Sequence, residues 1–254
     1  MTRLALTFVC HGCTLGATLD TAPGTTGLLV VTGGSEIRSG ASGGQARLAA
    51  DIAAAGFPVL RFDRRGIGDS EGEDPGFAGA EADIRAAARA FRAMSPQLTR
   101  VVGWGNGDAA SALMLGSGCG LDGLVLSNPA PIEEAAPPAA SVRQRYIAKL
   151  RNSQEVGRRL AGAVDYRNLL KGLAKVTSRK PRPARLADAL RYGLAGYDAP
   201  VSILLADKDR TAQVFAQEWG EDDWIDRCPG ADHAFSQREA YECLRDHLLA
   251  ALRR

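Results

Sequence analysis

The stretch Arg100-Val-Val-Gly-Trp-Gly-Asn-Gly-Asp-Ala-Ala-Ser111 runs from an apolar, β-branched segment through a glycine-rich turn into an alanine-rich segment. Val101 and Val102 read as strand, Gly105 to Gly107 as turn, and Ala109 to Leu115 as helix. The same alternation recurs on both sides of this stretch. Strands are expected at 28–32, 58–62, 100–104, 123–127 and 201–206, and helices at 46–55, 81–94, 109–115 and 238–252. In the helix over 81–94, Ile84, Ala88 and Phe91 fall on one face. Apolar strands alternating with helices form the pattern of a parallel α/β sheet.

Between the strands ending at Ser127 and opening at Val201 lie about seventy residues without a clear strand, beginning with Pro129, Pro131, Pro137 and Pro138. A plain loop of that length is uncommon in a compact domain, so the segment should carry its own helices. It reads as a helical cap inserted at 131–198, dividing a core of 1–130 and 199–254. Such a cap would lie over the carboxyl ends of the strands, where open α/β sheets bind ligands. The segment is also strongly basic. Residues 141–191 hold fourteen Lys and Arg against three acids, a net +11 that leaves −9 for the rest of a chain whose overall charge is +2. A basic block steers an acidic ligand or forms a solvated helical surface. Only Tyr146 and Tyr166 accompany it, with no nucleic-acid motif, so the expected partner is a small anionic molecule.

Three features stand at strand ends in a telling order. The turn Gly105-Asn106-Gly107-Asp108 comes first, Asp207-Lys-Asp209 follows the late strand, and Asp232-His233 precedes the last helix. Nucleophile turn, acid and histidine in that chain order are the arrangement of α/β-hydrolase triads. Gly33-Gly34 after an early strand adds a loop whose backbone N–H could complete an oxyanion hole. The fold expected is therefore the α/β-hydrolase fold, a mostly parallel sheet flanked by helices. His233 is the expected base. Asp207 and Asp209 are both candidates for its acid, and Asp209 could instead merely cap a turn. His247 reads as a surface histidine on the last helix, and His11 as a turn residue. Asp63, Arg65 and Asp69 read as residues that fix loop geometry through local hydrogen bonds and salt bridges.

The sequence also resembles the exosortase A system-associated hydrolases of type 1. The resemblance is carried by Gly33-Gly34 with Arg38-Ser-Gly, by Ala54-Ala-Gly-Phe-Pro-Val-Leu-Arg-Phe-Asp-Arg-Arg-Gly-Ile-Gly-Asp-Ser-Glu-Gly72 and by Trp104-Gly-Asn-Gly-Asp-Ala-Ala-Ser111. Leu126-Ser-Asn-Pro129, Asp209-Arg-Thr-Ala212 and Asp232-His-Ala-Phe-Ser236 continue it, so it spans nearly the whole chain. It implies an ester or thioester hydrolase of bacterial exopolysaccharide gene clusters. It also implies catalytic His233 and Asp209. Arg38, and Tyr146 in the basic segment, are expected to contact ligand, and no cofactor or metal is expected.

One departure stands out. In that family a cysteine nucleophile occupies the place where this chain has Gly107; the neighbouring register puts Gly105 in the central slot, again without a side chain. A third register would make Asp108 the nucleophile but would set Asn106 where a small residue is needed. Glycine relieves the strained backbone of such a turn. Catalysis could persist if His233 activated a water above Gly107, with N–H groups of Asp108 and of Gly34 or Ser35 facing the oxyanion. Alternatives are a pseudoenzyme that binds an anionic ligand or a partner protein, and a cofactor-free lyase or decarboxylase. Ser111, one helical turn on, is expected to face the packing side.

The remaining composition narrows the class. At 45% hydrophobic and 24% charged over 254 residues, the chain is neither disordered nor fibrous. No stretch approaches about 18 uninterrupted apolar residues, and the short N-terminal apolar run lacks a signal-peptide cleavage site, which points to the cytoplasm. The five cysteines are an odd number, not a disulfide framework. Cys10-His-Gly-Cys13 has redox or zinc spacing but lacks a second ligand pair or a thioredoxin-like context, so the cysteines read as structural or incidental.

Overall fold

A computed structural model describes residues 2–130, 186–220 and 223–254. By internal contacts the chain divides into one unit of Met1–Pro131 with Leu186–Arg254 and another of Ile132–Arg185. The expected cap falls largely outside the described residues, as does Tyr146.

The first unit is built on eight strands: β1 (Arg3–Cys10), β2 (Cys13–Asp20), β3 (Thr26–Val31), β4 (Val59–Phe62), β5 (Arg100–Asn106), β6 (Gly123–Ser127), β7 (Val201–Ala206) and β8 (Ile225–Cys228). They form one sheet in the order β1-β2-β4-β3-β5-β6-β7-β8. β2 pairs antiparallel with β1 and β4, and every other pairing is parallel. The helices are α1 (Gly44–Ala54), α2 (Glu81–Met94), α3 (Asp108–Leu115), α4 (Leu186–Leu194), α5 (Arg210–Trp219) and α6 (Arg238–Arg253).

Strand alternation decides which helices lie on which face. Leu29, Val31, Leu60, Phe62, Leu124, Leu126, Ile203 and Leu205 share one apolar cluster with α2, α3, α4 and α5. Leu28, Val30, Val59, Val102, Trp104, Val125, Leu204 and Ala206 share the other with α1 and α6. Successive side chains point to opposite faces of a sheet, so strands that are apolar at every position are covered on both. Residues 186–194, assigned from sequence to the insertion, form α4, whose Leu190 and Leu194 are buried in the first of these clusters.

One sequence reading holds here and one changes. The Cys10-His-Gly-Cys13 segment is a β-hairpin turn, with Cys10 paired to Cys13 across it. His11 and Gly12 have φ of 50° and 78°, the positive values that a two-residue type I′ turn requires. The Cys10 thiol is buried and donates to Asp83 at 3.2 Å; burial first, then the Asp83 carboxylate, pushes it up to about 11, so it is no reactive thiolate. The reading of His247 is the one that changes. Rather than standing on the surface, it lies mostly buried on the inner side of α6 with its Nε2 against Ser202 Oγ.

Candidate active site

The loops at the carboxyl ends of β3, β5, β6 and β7 meet the loop that precedes α6. Gly107 forms the turn between β5 and α3 with φ 59° and ψ −121°, a backbone conformation costly for any residue with a side chain. Its N–H donates to Ser127 O at 2.9 Å, and its carbonyl accepts from Ser111 N–H at 3.1 Å. The turn is thereby fixed to both neighbouring elements. A Cβ at Gly107 would lie 3.2 Å from both Nε2 and Cε1 of His233.

His233 is held from the other side by Asp209, whose Oδ2 is 2.9 Å from His233 Nδ1. That carboxylate favours the tautomer protonated at Nδ1 and leaves Nε2 as an acceptor directed at Gly107. Asp209 is also the N-cap of α5, accepting from Thr211 N–H at 3.3 Å and Ala212 N–H at 3.1 Å. Capping and the histidine contact are thus one arrangement, because four acceptor sites on a carboxylate serve both. Asp207 lies apart, 3.8 Å from Arg227.

Two asparagines fasten the histidine loop to the sheet. Asn106 Nδ2 donates to the His233 carbonyl at 2.9 Å. Asn128, fully buried, donates through Nδ2 to Asn106 Oδ1 at 3.0 Å and to His233 O at 3.3 Å, and accepts from Ala206 N–H at 2.8 Å. The loop also braces itself: Asp232 accepts from Ser236 N–H at 2.8 Å, and Phe235 is buried at φ 50°. Sequence reasoning missed both asparagines. Asn106 entered it only as a steric obstacle, and Asn128 only as part of a matching run.

Gly34 and Ser35 are exposed at the mouth of the site. A Cβ at Gly33 would come within 3.1 Å of Ala109 N and 3.3 Å of Asn106 O, so glycine lets this loop approach the start of α3 through bare backbone. The Asp108 side chain reaches the same loop, its Oδ2 lying 3.9 Å from where a Gly34 Cβ would be. Arg64, a fully buried side chain, donates to Thr32 O at 3.1 Å and to Gly34 O, and pairs with Asp74 at 3.0 Å. It holds the loop from beneath, a role that its place in a common loop motif did not disclose.

Arg38, expected to contact ligand, is engaged elsewhere. Its guanidinium pairs with Asp63, with Asp69 at 2.7 Å and with Thr18 Oγ1 at 3.1 Å, so its donors brace the 63–70 loop. Asp63 and Asp69 do fix that loop, Asp63 also accepting from Asp69 N–H at 3.1 Å. Ser111 is fully buried, its hydroxyl accepting from Ala130 N–H at 2.9 Å and donating to Ala130 O at 3.0 Å.

A mostly parallel sheet of this strand order, with its strand–glycine–helix turn facing a histidine and its acid, is an α/β-hydrolase fold. The profile of the Alpha/beta hydrolase family matches residues 28–242, and the protein belongs to that family. No curated protein matches the chain. Among solved structures it is similar to the alpha/beta hydrolase GrgF from Penicillium sp. sh18, with TM-score 0.66 and 15% identity, over 100% of this chain and 98% of that one. XC6422 from Xanthomonas campestris, described as a serine hydrolase without lid, gives 0.62 and 17% over 100% and 94%. Est1E from Butyrivibrio proteoclasticus, solved with ferulic acid, gives 0.60 and 16% over 98% and 100%. Among the described residues no helix is long and apolar enough to cross a membrane.

Proposed function

We propose that this protein is a hydrolase of ester or thioester bonds in which His233, oriented by Asp209, acts as general base on a water held above Gly107. The observation that carries the reading is the aim of His233 Nε2 at the missing Gly107 side chain, 3.2 Å from its Cβ position, with a carboxylate on Nδ1. His233 takes a proton as the water attacks the acyl carbon, and the tetrahedral oxyanion faces the N–H groups of Asp108 and of Gly34 or Ser35. When the alcohol or thiol leaves, the imidazolium returns the proton. Subtilisin stripped of its triad retains roughly 10³ to 10⁴-fold catalysis over water, so the absence of a nucleophile still leaves room for a slow enzyme.

The exopolysaccharide setting rests on the resemblance alone, and the basic residues of 141–191 favour an anionic acyl substrate. The same glycine supports a second reading, a pseudoenzyme that keeps the pocket for an anionic ligand or partner protein. A panel of short acyl esters and acyl-thioesters separates the two. Wild type is expected to turn over above buffer, with His233→Ala lowering the rate about 10²-fold or to background and Asp209→Asn lowering it less. Wild type indistinguishable from buffer on every substrate, or a His233→Ala protein equal to wild type, would overturn the hydrolase reading.

A further inference from the structure

At the opposite end of the sheet, β7, β8 and α6 bring together a serine, a histidine and a carboxylate. Ser202 is the second residue of β7 and faces α6. His247 Nε2 hydrogen-bonds Ser202 Oγ, while His247 Nδ1 lies 3.7 Å from Asp226 Oδ2 on β8. Carboxylate towards Nδ1 and hydroxyl on Nε2 is the polarity by which a histidine activates a serine. Ser202 is 6% exposed and the His247 side chain 16%, so the pair is shielded from water without being sealed. Burial, reinforced by Arg254, holds the imidazole below its usual range against the opposing pull of Asp226. It is therefore neutral, and able to accept a proton, at ordinary pH.

Ser202 also opens onto a small cleft that includes Arg100, Pro200, Ala251 and Arg254. Arg100 is fixed there by donating to the carbonyl of Ala251 at 3.0 Å. The Arg254 charge is also felt by His247, so positive charge stands near the pair, which is what a developing oxyanion needs. A latch between helix and sheet would require only the Ser202–His247 bond, and neither the carboxylate near Nδ1 nor the positive charge of Arg254 nearby.

We propose that Ser202, with His247 as base and Asp226 as its orienting partner, is a nucleophilic site of this protein, separate from the His233 site, that accepts small acyl groups. With p-nitrophenyl acetate, Ser202 Oγ bonds to the carbonyl carbon as His247 Nε2 takes the hydroxyl proton. The carbon–oxygen bond to p-nitrophenolate then breaks and the imidazolium releases its proton to solvent, leaving acetyl-Ser202 beside a neutral His247. Water deprotonated by His247 later displaces the serine oxygen, which recovers its proton as acetate departs.

The test is peptide mapping of the wild-type protein after brief exposure to p-nitrophenyl acetate. Acetylation at Ser202 is expected at least tenfold faster than at exposed Ser42 of the same molecules, and His247→Asn should slow it at least tenfold. Acetylation at Ser202 no faster than at Ser42 would overturn the proposal. That comparison lies within one folded protein, so it stands even if a variant misfolds. The mapped position also separates this site from any chemistry at His233.

Discussion

Gly107→Ser should acquire a burst of acyl-enzyme on p-nitrophenyl esters, trapped at residue 107 and dependent on His233. The glycine already has the backbone conformation of the turn, φ 59° and ψ −121°, so no rearrangement of the chain is needed to present the hydroxyl. Its Cβ would lie 3.2 Å from Nε2 and Cε1 of His233, closer than comfortable van der Waals contact. The His233 side chain is 49% exposed, and its ring can withdraw a few tenths of an ångström towards solvent. The new Oγ then falls within hydrogen-bond reach of Nε2. Two consequences separate in sign. Turnover of activated esters should rise about 10²-fold or more, the scale on which a positioned base acts on a bound nucleophile. Stability should fall by about 1–3 kcal/mol, because a side chain now occupies a strained φ/ψ region. Gly107→Ala should share the stability loss and gain no burst, and Gly107→Ser with His233→Ala should likewise show none. A folded Gly107→Ser protein without a burst would mean that His233 is not placed to activate a nucleophile there.

The sequence revealed the elements that are apolar throughout and bounded by turn residues. β6 and β7 lie where their runs predicted, and so does α2 with Ile84, Ala88 and Phe91 buried on one face. The hairpin β1–β2 escaped notice because β1 is exposed over much of its length, and the alternation of Leu6, Phe8 and Cys10 with exposed Thr7 and Val9 is short. β8 is four residues long with Asp226 and Arg227 exposed in its middle, too short and polar to register as a strand. At the site, His233 and Asp209 were legible because the fold places such groups at fixed points along the chain. Arg38, Arg64 and Asn128 were not. Whether an arginine meets a ligand or a neighbouring loop depends on carboxylates tens of residues away, and no local pattern encodes that pairing. His247 failed for a related reason: it borders the core stripe of Leu244, Leu248 and Ala251, and its partner Ser202 lies 45 residues back.

Asn128→Ala should be the most destabilising single change among the site's supporting residues, by about 2–4 kcal/mol, or roughly 5–15 °C in Tm for a domain of this size. Asn128 is fully buried, and alanine would leave the Ala206 N–H without its 2.8 Å acceptor and Asn106 Oδ1 without its 3.0 Å donor. Backbone strain adds to this, since Asn128 has φ 45°, a left-handed conformation that asparagine tolerates better than alanine. The loss reaches the chemistry through the His233 carbonyl, which would keep only the bond from Asn106 at 2.9 Å. Asn128→Asp sharpens the argument because it preserves shape. One carboxylate oxygen can still accept from Ala206 N–H, but the other replaces the Nδ2 donor and faces two oxygens, Asn106 Oδ1 and His233 O. Burial and those acceptors disfavour the charged form, so the new carboxyl should titrate above its unfolded value of about 3.9. A group whose folded pKa is raised supports the fold below its unfolded pKa and loses that contribution as pH rises through the folded value. The aspartate variant should therefore approach wild-type stability in acid and fall away towards neutral pH, whereas the alanine variant should show no such recovery. Thermal melts of both variants against pH, read alongside wild type, test this directly. An alanine variant within about 0.5 kcal/mol of wild type, the range of ordinary surface substitutions, would mean that the asparagine network does not hold the histidine loop.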